Sequence, residues 1–334
     1  FLATRRQDRR VRVWAEDFQE EHIFSLKDPI ASLVPGWGRY IRGIFWVLKQ
    51  AGKDVGGVDA LVKGDIPMES GLSSSAALEV SVLCGLNRIF RLGLSSLEIA
   101  TLSQKAENAY VGVQCGLMDQ FSAVFARRRR ALFLDCETLK FQYIPVRLEE
   151  AGLTLLVHDT GVRRDLSSSE YNIRRSEAER ALEELRRHGW AGFREARPED
   201  LPRIRKKLEG VLFRRARHVI SENHRVLEAA SALERDDFQR LGELLFLSHE
   251  SLRDDYEVSC PELDLLYEVA RRNPGCLGAR LTGAGFGGSG IALVREASVP
   301  TLEKELREEA SRRGFPEPTL YRVRIGGGCT VQDI

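Results

Sequence analysis

One stretch decides the fold of this chain: Asp65-Ile66-Pro67-Met68-Glu69-Ser70-Gly71-Leu72-Ser73-Ser74-Ser75-Ala76-Ala77. It follows an apolar run over residues 58–62 that predicts a buried strand, and it precedes a pattern that predicts a helix over residues 76–90. The stretch is therefore a loop that turns into a helix N-terminus. Gly71 can take a backbone conformation closed to other residues, so a ligand can approach the main chain there.

Ser73, Ser74 and Ser75 follow where the first helical turn leaves its N–H groups unpaired. These N–H groups and the positive end of the helix dipole suit an anion such as phosphate. The hydroxyl oxygens can also reach a bound magnesium ion. A plain N-cap is the alternative, because serine is favoured at helix starts. The complete pattern after a strand favours phosphate binding, although it is neither a Walker loop nor a Rossmann fingerprint.

The segment from Pro67 to Ala77 resembles the ATP-binding motif of the GHMP kinases, which are named for galactokinase, homoserine kinase, mevalonate kinase and phosphomevalonate kinase. The rest of the chain narrows the resemblance to the galactokinase family. It implies an α+β, two-domain GHMP kinase fold. An N-terminal domain over residues 1–155 would carry the phosphate loop, and a C-terminal domain over residues 156–334 would carry a helical segment and a glycine-rich turn. It also implies ATP bound through Gly71, Leu72, Ser73, Ser74, Ser75 and Ala76.

Bulk properties exclude several other classes of protein. The chain has 334 residues, of which 43% are hydrophobic, and a formal net charge of +1. Nothing in this balance favours nucleic acid or an anionic membrane as a partner, and no apolar run is long enough to cross a bilayer. The six cysteines are scattered without metal-ligand spacing, which suits free thiols in the cytoplasm.

A second chemically informative stretch runs from Glu107 to Phe121. Asp119 lies there between apolar residues, and a buried carboxylate has to be paired, liganded or functional. A lone Asp at such a position is more often a cap or a surface residue. The stretch resembles the galactokinase signature around the catalytic aspartate, and Asp119 falls on that position. The resemblance implies that Asp119 accepts a hydrogen bond or proton from the anomeric hydroxyl of the sugar.

The same resemblance assigns three further residues in this part of the chain. Glu107 matches a magnesium-coordinating glutamate, and Ser75 matches its partner hydroxyl. Gly116 matches a position whose main chain contacts the sugar. ATP and Mg²⁺ are the implied cofactors.

Tyr171 follows a strand that ends near Asp159 and lies in a Ser-x-Tyr-x-x-Arg-Arg pattern. A tyrosine at the start of a charged helix is usually a packing aromatic. The resemblance instead implies that Tyr171 contacts a sugar hydroxyl, and it places Asp159 beside the active cleft. Ser167 and Glu170 have the spacing of a capping box.

Three other features of the sequence are a glycine-rich stretch, a run of arginines and two histidines. Residues 278–290 are rich in glycine and resemble the third GHMP motif, which packs near the phosphate loop. The four arginines of residues 127–130 predict a solvated turn, since no aromatic residues are interleaved with them. His218 and His249 lack metal-ligand spacing and are interpreted as structural residues.

Galactokinases carry an earlier motif of the type Gly-Arg-Val-Asn-Leu-Ile-Gly-Glu-His-x-Asp-Tyr, which does not occur in this sequence. Its absence leads to the expectation of an N-terminally truncated copy. The resemblance implies a cytoplasmic monomer that phosphorylates galactose at the anomeric hydroxyl to give galactose 1-phosphate. Three alternatives stay open: a sugar- or ATP-binding relative without turnover, an inactive fragment, and a kinase for a related sugar such as N-acetylgalactosamine.

Overall fold

The computed structural model describes residues 1–28, 35–67, 70–162 and 170–333. The chain divides into two compact units. The first unit comprises Phe1–Pro67, Ser73–Tyr143 and Ile325–Ile334, and the second comprises Met68–Leu72 and Ile144–Arg324. Both units combine helices with a four-stranded sheet, as expected for an α+β fold.

The sheet of the first unit contains β1 (Leu2–Arg5), β2 (Arg10–Ala15), β3 (Glu20–Ser25) and β4 (Val58–Val62) in the order β1-β4-β2-β3. The central pair, β2 and β4, is parallel, and the outer pairs are antiparallel. In β2, Val11 and Val13 face the core while Arg10 and Arg12 face solvent, as the alternating sequence pattern predicts. Strand β3 was not predicted from the sequence.

Four helices complete most of the first unit: α1 (Gly38–Gln50), α2 (Ser74–Phe90), α3 (Ser96–Ala106) and α4 (Met118–Phe125). Apolar residues of α1 and α2 pack on β2 and β4 in a single core, which includes Ile44, Phe45, Leu83 and Leu86. Helix α3 ends at Ala106, and one π-turn (Glu107–Val111) follows it. Strands β5 (Arg130–Leu134) and β6 (Phe141–Pro145) form a separate two-stranded sheet.

Residues 325–333, called here the C-terminal segment, pack on helices of the first unit. The Gly328 N–H donates to the Ala126 carbonyl at 2.7 Å, and a Cβ at Gly328 would collide with the carbonyl of Val124. Arg88 on α2 forms an ion pair with Asp333. The last part of the chain thus contributes to the unit that contains α2 and α4.

The sheet of the second unit contains β7 (Leu153–Asp159), β8 (Cys276–Leu281), β9 (Ser289–Arg295) and β10 (Thr319–Val323) in the order β10-β7-β9-β8. Every pair is antiparallel. The glycine-rich residues 278–290 therefore include the last part of β8 and the start of β9. The turn itself, residues 282–288, joins these two strands.

The described part of the second unit contains the α-helices α5 (Glu170–Arg187), α6 (Leu201–Arg205), α7 (Gly210–Glu234), α8 (Phe238–Ser251), α9 (Pro261–Arg272) and α10 (Val299–Arg313). Helices α9 and α10 share a core with β7, β8 and β9. Ser167 of the expected capping box lies outside the described residues. Within the described parts of the chain, no helix is both long and apolar enough to cross a membrane.

Candidate active site

Helix α2 begins with a strained residue. Ser73 is the N-cap residue and has a φ of 59°, in the left-handed region that costs a non-glycine residue about 1–2 kcal/mol. Its side chain makes no capping hydrogen bond, and Ser73, Ser74 and Ser75 are all partly exposed. The hydroxyl of Ser73 therefore does not cap α2. Strain of this kind concentrates at functional sites, where surrounding structure holds it in place.

The backbone just before Ser73 packs against the glycine-rich turn. The Ser289 hydroxyl donates to the Ser70 carbonyl at 2.7 Å. A Cβ added at Gly288 would lie 2.9 Å from the Ser70 carbonyl oxygen, and one at Gly283 would lie 3.0 Å from that of Gly71. Gly71 itself has a φ of 74°. Only glycine permits this approach, so the predicted contact between the glycine-rich turn and the start of the phosphate loop is confirmed.

Residues at and just after the end of β7 form hydrogen bonds with the same turn. Thr160 donates to the Gly288 carbonyl through both its N–H (2.9 Å) and its hydroxyl (2.7 Å). The Gly288 N–H donates to the Val162 carbonyl at 3.1 Å. Asp159 is 2% exposed, and its carboxylate accepts a hydrogen bond from the Gly161 N–H at 3.1 Å. Asp159 therefore lies within the group of residues that shapes the turn.

Ser75 and Glu107, which were predicted as a pair, are in direct contact. The Ser75 hydroxyl donates to Glu107 Oε1 at 2.9 Å, and Glu107 is only 5% exposed. Glu107 Oε2 accepts from the Gln120 amide at 2.5 Å and lies 3.4 Å from the Cys115 Sγ. Burial and the nearby glutamate raise the pKa of the Cys115 thiol to about 12, which keeps it protonated as a donor. The buried carboxylate of Glu107 thus accepts hydrogen bonds from three side-chain donors.

The π-turn after α3 sets the position of Glu107. The Glu107 carbonyl accepts from the N–H groups of both Gly112 (2.9 Å) and Val113 (3.2 Å). Asn108 closes the following loop, because its side chain accepts from the Cys115 N–H at 3.0 Å. Single π-turns are common at functional sites, and this one contains the proposed metal ligand.

Asp119 occupies the first turn of α4 and is partly exposed. Within the described residues its carboxylate forms no hydrogen bond or ion pair. Asp119 is therefore neither a helix cap nor a member of a buried ion pair among the described residues. Gly116, two residues before α4, is exposed, and a Cβ there would meet nothing within 4 Å. Both residues are accessible to a small molecule.

Two buried residues beside Glu107 were not predicted from the sequence. Glu79 and Gln120 are both 0% exposed, and the Gln120 amide lies 3.4 Å from Glu79 Oε2. Burial, with the charge of Glu107, raises the pKa of Glu79 well above its usual range. One signal was available: Glu79 precedes Val82 and Leu83 by three and four residues, so it falls on the apolar face of α2.

Tyr171 lies in the first turn of α5 and is partly buried. A fully buried arginine on α7 holds this helix: Arg215, 1% exposed, donates to Glu177 at 2.8 Å and to Glu257 at 2.6 Å. Arg215 also donates to the Asp255 carbonyl at 2.5 Å. The position of Tyr171 therefore depends on an ion-pair network that joins α5 and α7 to residues 255–257.

The second unit also links α5 to the glycine-rich turn. Arg174 donates to the Glu257 carbonyl at 3.2 Å, and its guanidinium lies 5.8 Å from the ring centre of Phe286 in the turn. The Phe286 N–H donates to the Val258 carbonyl at 2.7 Å. Residues 257–258 thus contact both the helix of Tyr171 and the turn that packs on Ser70.

His218 and His249 both have side-chain partners. His218 Nδ1 lies 3.0 Å from the Ser251 hydroxyl, and His249 Nε2 lies 2.9 Å from Asp264. His249 Nδ1 accepts from the Leu281 N–H at 3.1 Å, so Nε2 carries the proton and donates to Asp264. These contacts agree with the structural interpretation of both residues.

Comparison with protein families and known proteins agrees with the fold. The GHMP kinases N terminal domain matches residues 39–127, and the GHMP kinases C terminal domain matches residues 229–312. A mevalonate kinase, 19% identical, shares the fold with a TM-score of 0.64 over 97% of this chain and 88% of its own. The chain belongs to the GHMP kinases.

Relatives with higher sequence identity show to which branch of the GHMP kinases the chain belongs. The galactokinase of Roseiflexus sp. (strain RS-1) is 42% identical over 97% of this chain and 82% of its own length. That of Thermococcus kodakarensis is 41% identical over 96% and 88%, respectively. Lactococcus lactis galactokinase complexed with galactose is 38% identical, with a TM-score of 0.93 over 98% of this chain and 85% of that chain. Within the GHMP kinases, the chain is a member of the galactokinase family, ATP-dependent sugar kinases.

Proposed function

We propose that the protein transfers the γ-phosphoryl group of ATP to the anomeric hydroxyl of galactose, giving galactose 1-phosphate and ADP. The observation that carries this proposal is the contact between Ser75 and Glu107 at 2.9 Å, in the same unit as Asp119, whose accessible carboxylate has no partner in the described part of the chain. Phosphoryl transfer needs positioning and charge neutralisation more than covalent chemistry from the protein. These residues provide both kinds of group.

Asp119 is the proposed catalytic residue. Its carboxylate has no competing partner among the described residues, so it is available to accept a hydrogen bond or the proton of the anomeric hydroxyl as the oxygen attacks phosphorus. Gly116 and Tyr171 are the further residues proposed to contact the sugar. The galactose in the Lactococcus lactis complex supports a hexose as the substrate class.

The proposed nucleotide contacts are Gly71, Leu72, Ser73, Ser74, Ser75 and Ala76. The first turn of α2 presents unpaired N–H groups at the positive end of a 17-residue helix. No acidic residue lies in that turn to repel phosphate. The Ser73 hydroxyl makes no capping hydrogen bond, and the backbone is left-handed at Gly71 and Ser73. Both features suit an anion that contacts main chain and side chain together.

Ser75 and Glu107 are the proposed ligands of Mg²⁺. The donor set fits this ion, because a hydroxyl and a carboxylate supply hard oxygen ligands from the protein and the nucleotide phosphates can complete the coordination. No group of three or more His, Cys, Asp or Glu side chains within the described residues could hold a metal by itself. When bound, the ion would neutralise charge on the phosphates. The role of the protein here is to hold the hydroxyl oxygen of Ser75 and the carboxylate of Glu107 close together.

We further propose that the protein acts as a monomer in the cytoplasm. The six free thiols support a reducing compartment. For catalysis we propose that residues 1–155 supply the phosphate loop, Asp119 and the metal ligands, and that residues 156–334 supply Tyr171 and the glycine-rich turn.

An ADP-release assay with ATP, Mg²⁺ and a panel of sugars tests the proposal. We expect turnover with galactose, and loss of that turnover in Asp119→Asn. Turnover with N-acetylgalactosamine or another sugar in place of galactose would overturn the substrate assignment. Absence of turnover with every sugar, together with ATP binding, would indicate a binding protein instead.

A further inference from the structure

The side chain of Gln120 joins three helical segments at one point. It extends from α4, directly after Asp119 in the sequence, and is completely buried. Its amide nitrogen lies 2.5 Å from Glu107 Oε2 on the π-turn and 3.4 Å from Glu79 Oε2 on α2. The residue that follows the proposed catalytic aspartate therefore contacts the proposed metal ligand.

The two carboxylate oxygens of Glu107 have different hydrogen-bond partners. Oε1 receives the Ser75 hydroxyl, while Oε2 receives the Gln120 amide and the Cys115 thiol. An amide or a thiol orients a carboxylate without neutralising it, whereas Lys or Arg in that place would compete with a cation for its charge. Glu107 is thus held at Oε2 by neutral donors, while Oε1 faces the hydroxyl of Ser75.

The arrangement has a cost in stability. Gln120 Oε1 is buried and has no hydrogen-bond partner among the described residues. A buried polar atom without a partner destabilises the fold relative to a satisfied one. Apolar side chains of similar size would avoid that cost, so this polar group is not explained by packing alone.

We infer that Gln120 is a positioning residue that holds the Glu107 carboxylate in place for the divalent cation bound with ATP. The inference rests on the proposed function, because it takes Glu107 as a ligand of that cation. Residues that orient a ligand in this way typically contribute 10–100-fold to metal affinity or activity. Gln120 itself would not touch the cation or the substrates.

Gln120→Met tests the inference, because methionine has similar length and lacks the amide donor. We expect the Mg²⁺ concentration for half-maximal turnover to rise about tenfold at saturating galactose. A binding readout should follow: the increase in melting temperature given by Mg²⁺ with ADP, beyond that given by ADP alone, should shrink. Gln104→Met is the matched control, because the Gln104 amide donates to a main-chain carbonyl, that of Cys115, at 3.2 Å. We expect little change in either readout for this control.

A double-mutant cycle with Glu107→Gln makes the test specific. If Gln120 acts through Glu107, Gln120→Met should add nothing to the Mg²⁺ dependence of Glu107→Gln. A change of less than twofold in Gln120→Met, with a clear change in Glu107→Gln, would overturn the inference and leave the metal role of Glu107 standing. An unchanged Glu107→Gln would instead overturn that role and the inference with it. Should Gln120→Met fail to fold, Gln120→Asn, which withdraws the amide by one methylene, gives the same comparison.

Discussion

The hydroxyl of Ser289 donates a hydrogen bond of 2.7 Å to the main-chain carbonyl of Ser70. The two residues are more than two hundred positions apart, yet this bond joins β9 to the segment that enters the proposed phosphate loop. Gly288 and Gly283 pack on the same backbone, so the course of residues 70–71 depends on the glycine-rich turn.

Gly288→Ala should therefore weaken nucleotide binding. Its φ of 71° disfavours alanine, and the new Cβ would lie 2.9 Å from the Ser70 carbonyl oxygen. We expect the KM for ATP to rise at least fivefold, measured by the ADP-release assay. Gly314→Ala is the matched control, with a φ of 69° and open space around the Cβ. It should cost about 1 kcal/mol of stability and leave the KM unchanged. An equal KM in both variants would refute the role of the turn.

Asp119→Asn should separate activity from stability. We expect kcat to fall by about 10²–10⁴, the usual contribution of a general base. The melting temperature should stay close to that of the parent, because the carboxylate is partly exposed and has no partner among the described residues. Asp54→Asn, a change in an exposed ion pair with Arg9, serves as the control for both measurements. Retention of kcat in Asp119→Asn would remove Asp119 from the mechanism.

Arg215→Met should destabilise the second unit strongly. Removing one partner of a buried ionic network leaves the others uncompensated, and this typically costs about 3–5 kcal/mol. Urea unfolding followed by circular dichroism measures the loss. Arg240→Met, which breaks ion pairs with Glu228 and Glu243 at the surface, should cost about 1 kcal/mol or less. Similar losses for the two variants would show that burial of Arg215 carries no special cost.

His218 should make stability fall in mild acid. Burial lowers its pKa to about 4, below the ordinary value of 6.5. Protonation is therefore easier in the unfolded chain, so stability present above pH 6.5 is lost as the pH falls toward 4, by roughly 3 kcal/mol. His218→Asn keeps a polar atom near Ser251 and cannot titrate. We expect a shallower decline in its free energy of unfolding between pH 7 and pH 5, and no such change in the exposed control His224→Asn. An unchanged slope in His218→Asn would assign the acid sensitivity to other groups.

Much of the fold could be predicted from local patterns. The apolar periodicity of α1 and α2 and the alternation in β2 each follow from a single buried face. Strand β3 could not be predicted in this way, because four of its six residues are Glu20, Glu21, His22 and Ser25 and only Phe24 is buried. Its pairing with β2 is a main-chain interaction that side-chain hydrophobicity does not report.

The candidate site shows the same limit. Gly71, Ser75, Glu107 and Asp119 could be proposed from motifs, because their chemistry is concentrated in two short stretches. Gln120 could not, since its partners come from α2 and the π-turn and only the folded chain brings them together. The division predicted at residues 155 and 156 stays a prediction.

The C-terminal segment has a consequence for how the protein is made. Because residues 325–333 pack on α2 and α4, the unit that holds Asp119 cannot be completed while the ribosome is still translating the second unit. Until then, the part of the apolar core on which Cys329 packs stays uncovered in the nascent first unit, and exposed apolar surface favours chaperone binding and aggregation. A protease cut within this segment would accordingly act on α4, which carries the proposed catalytic residue Asp119, rather than on the unit translated just before it.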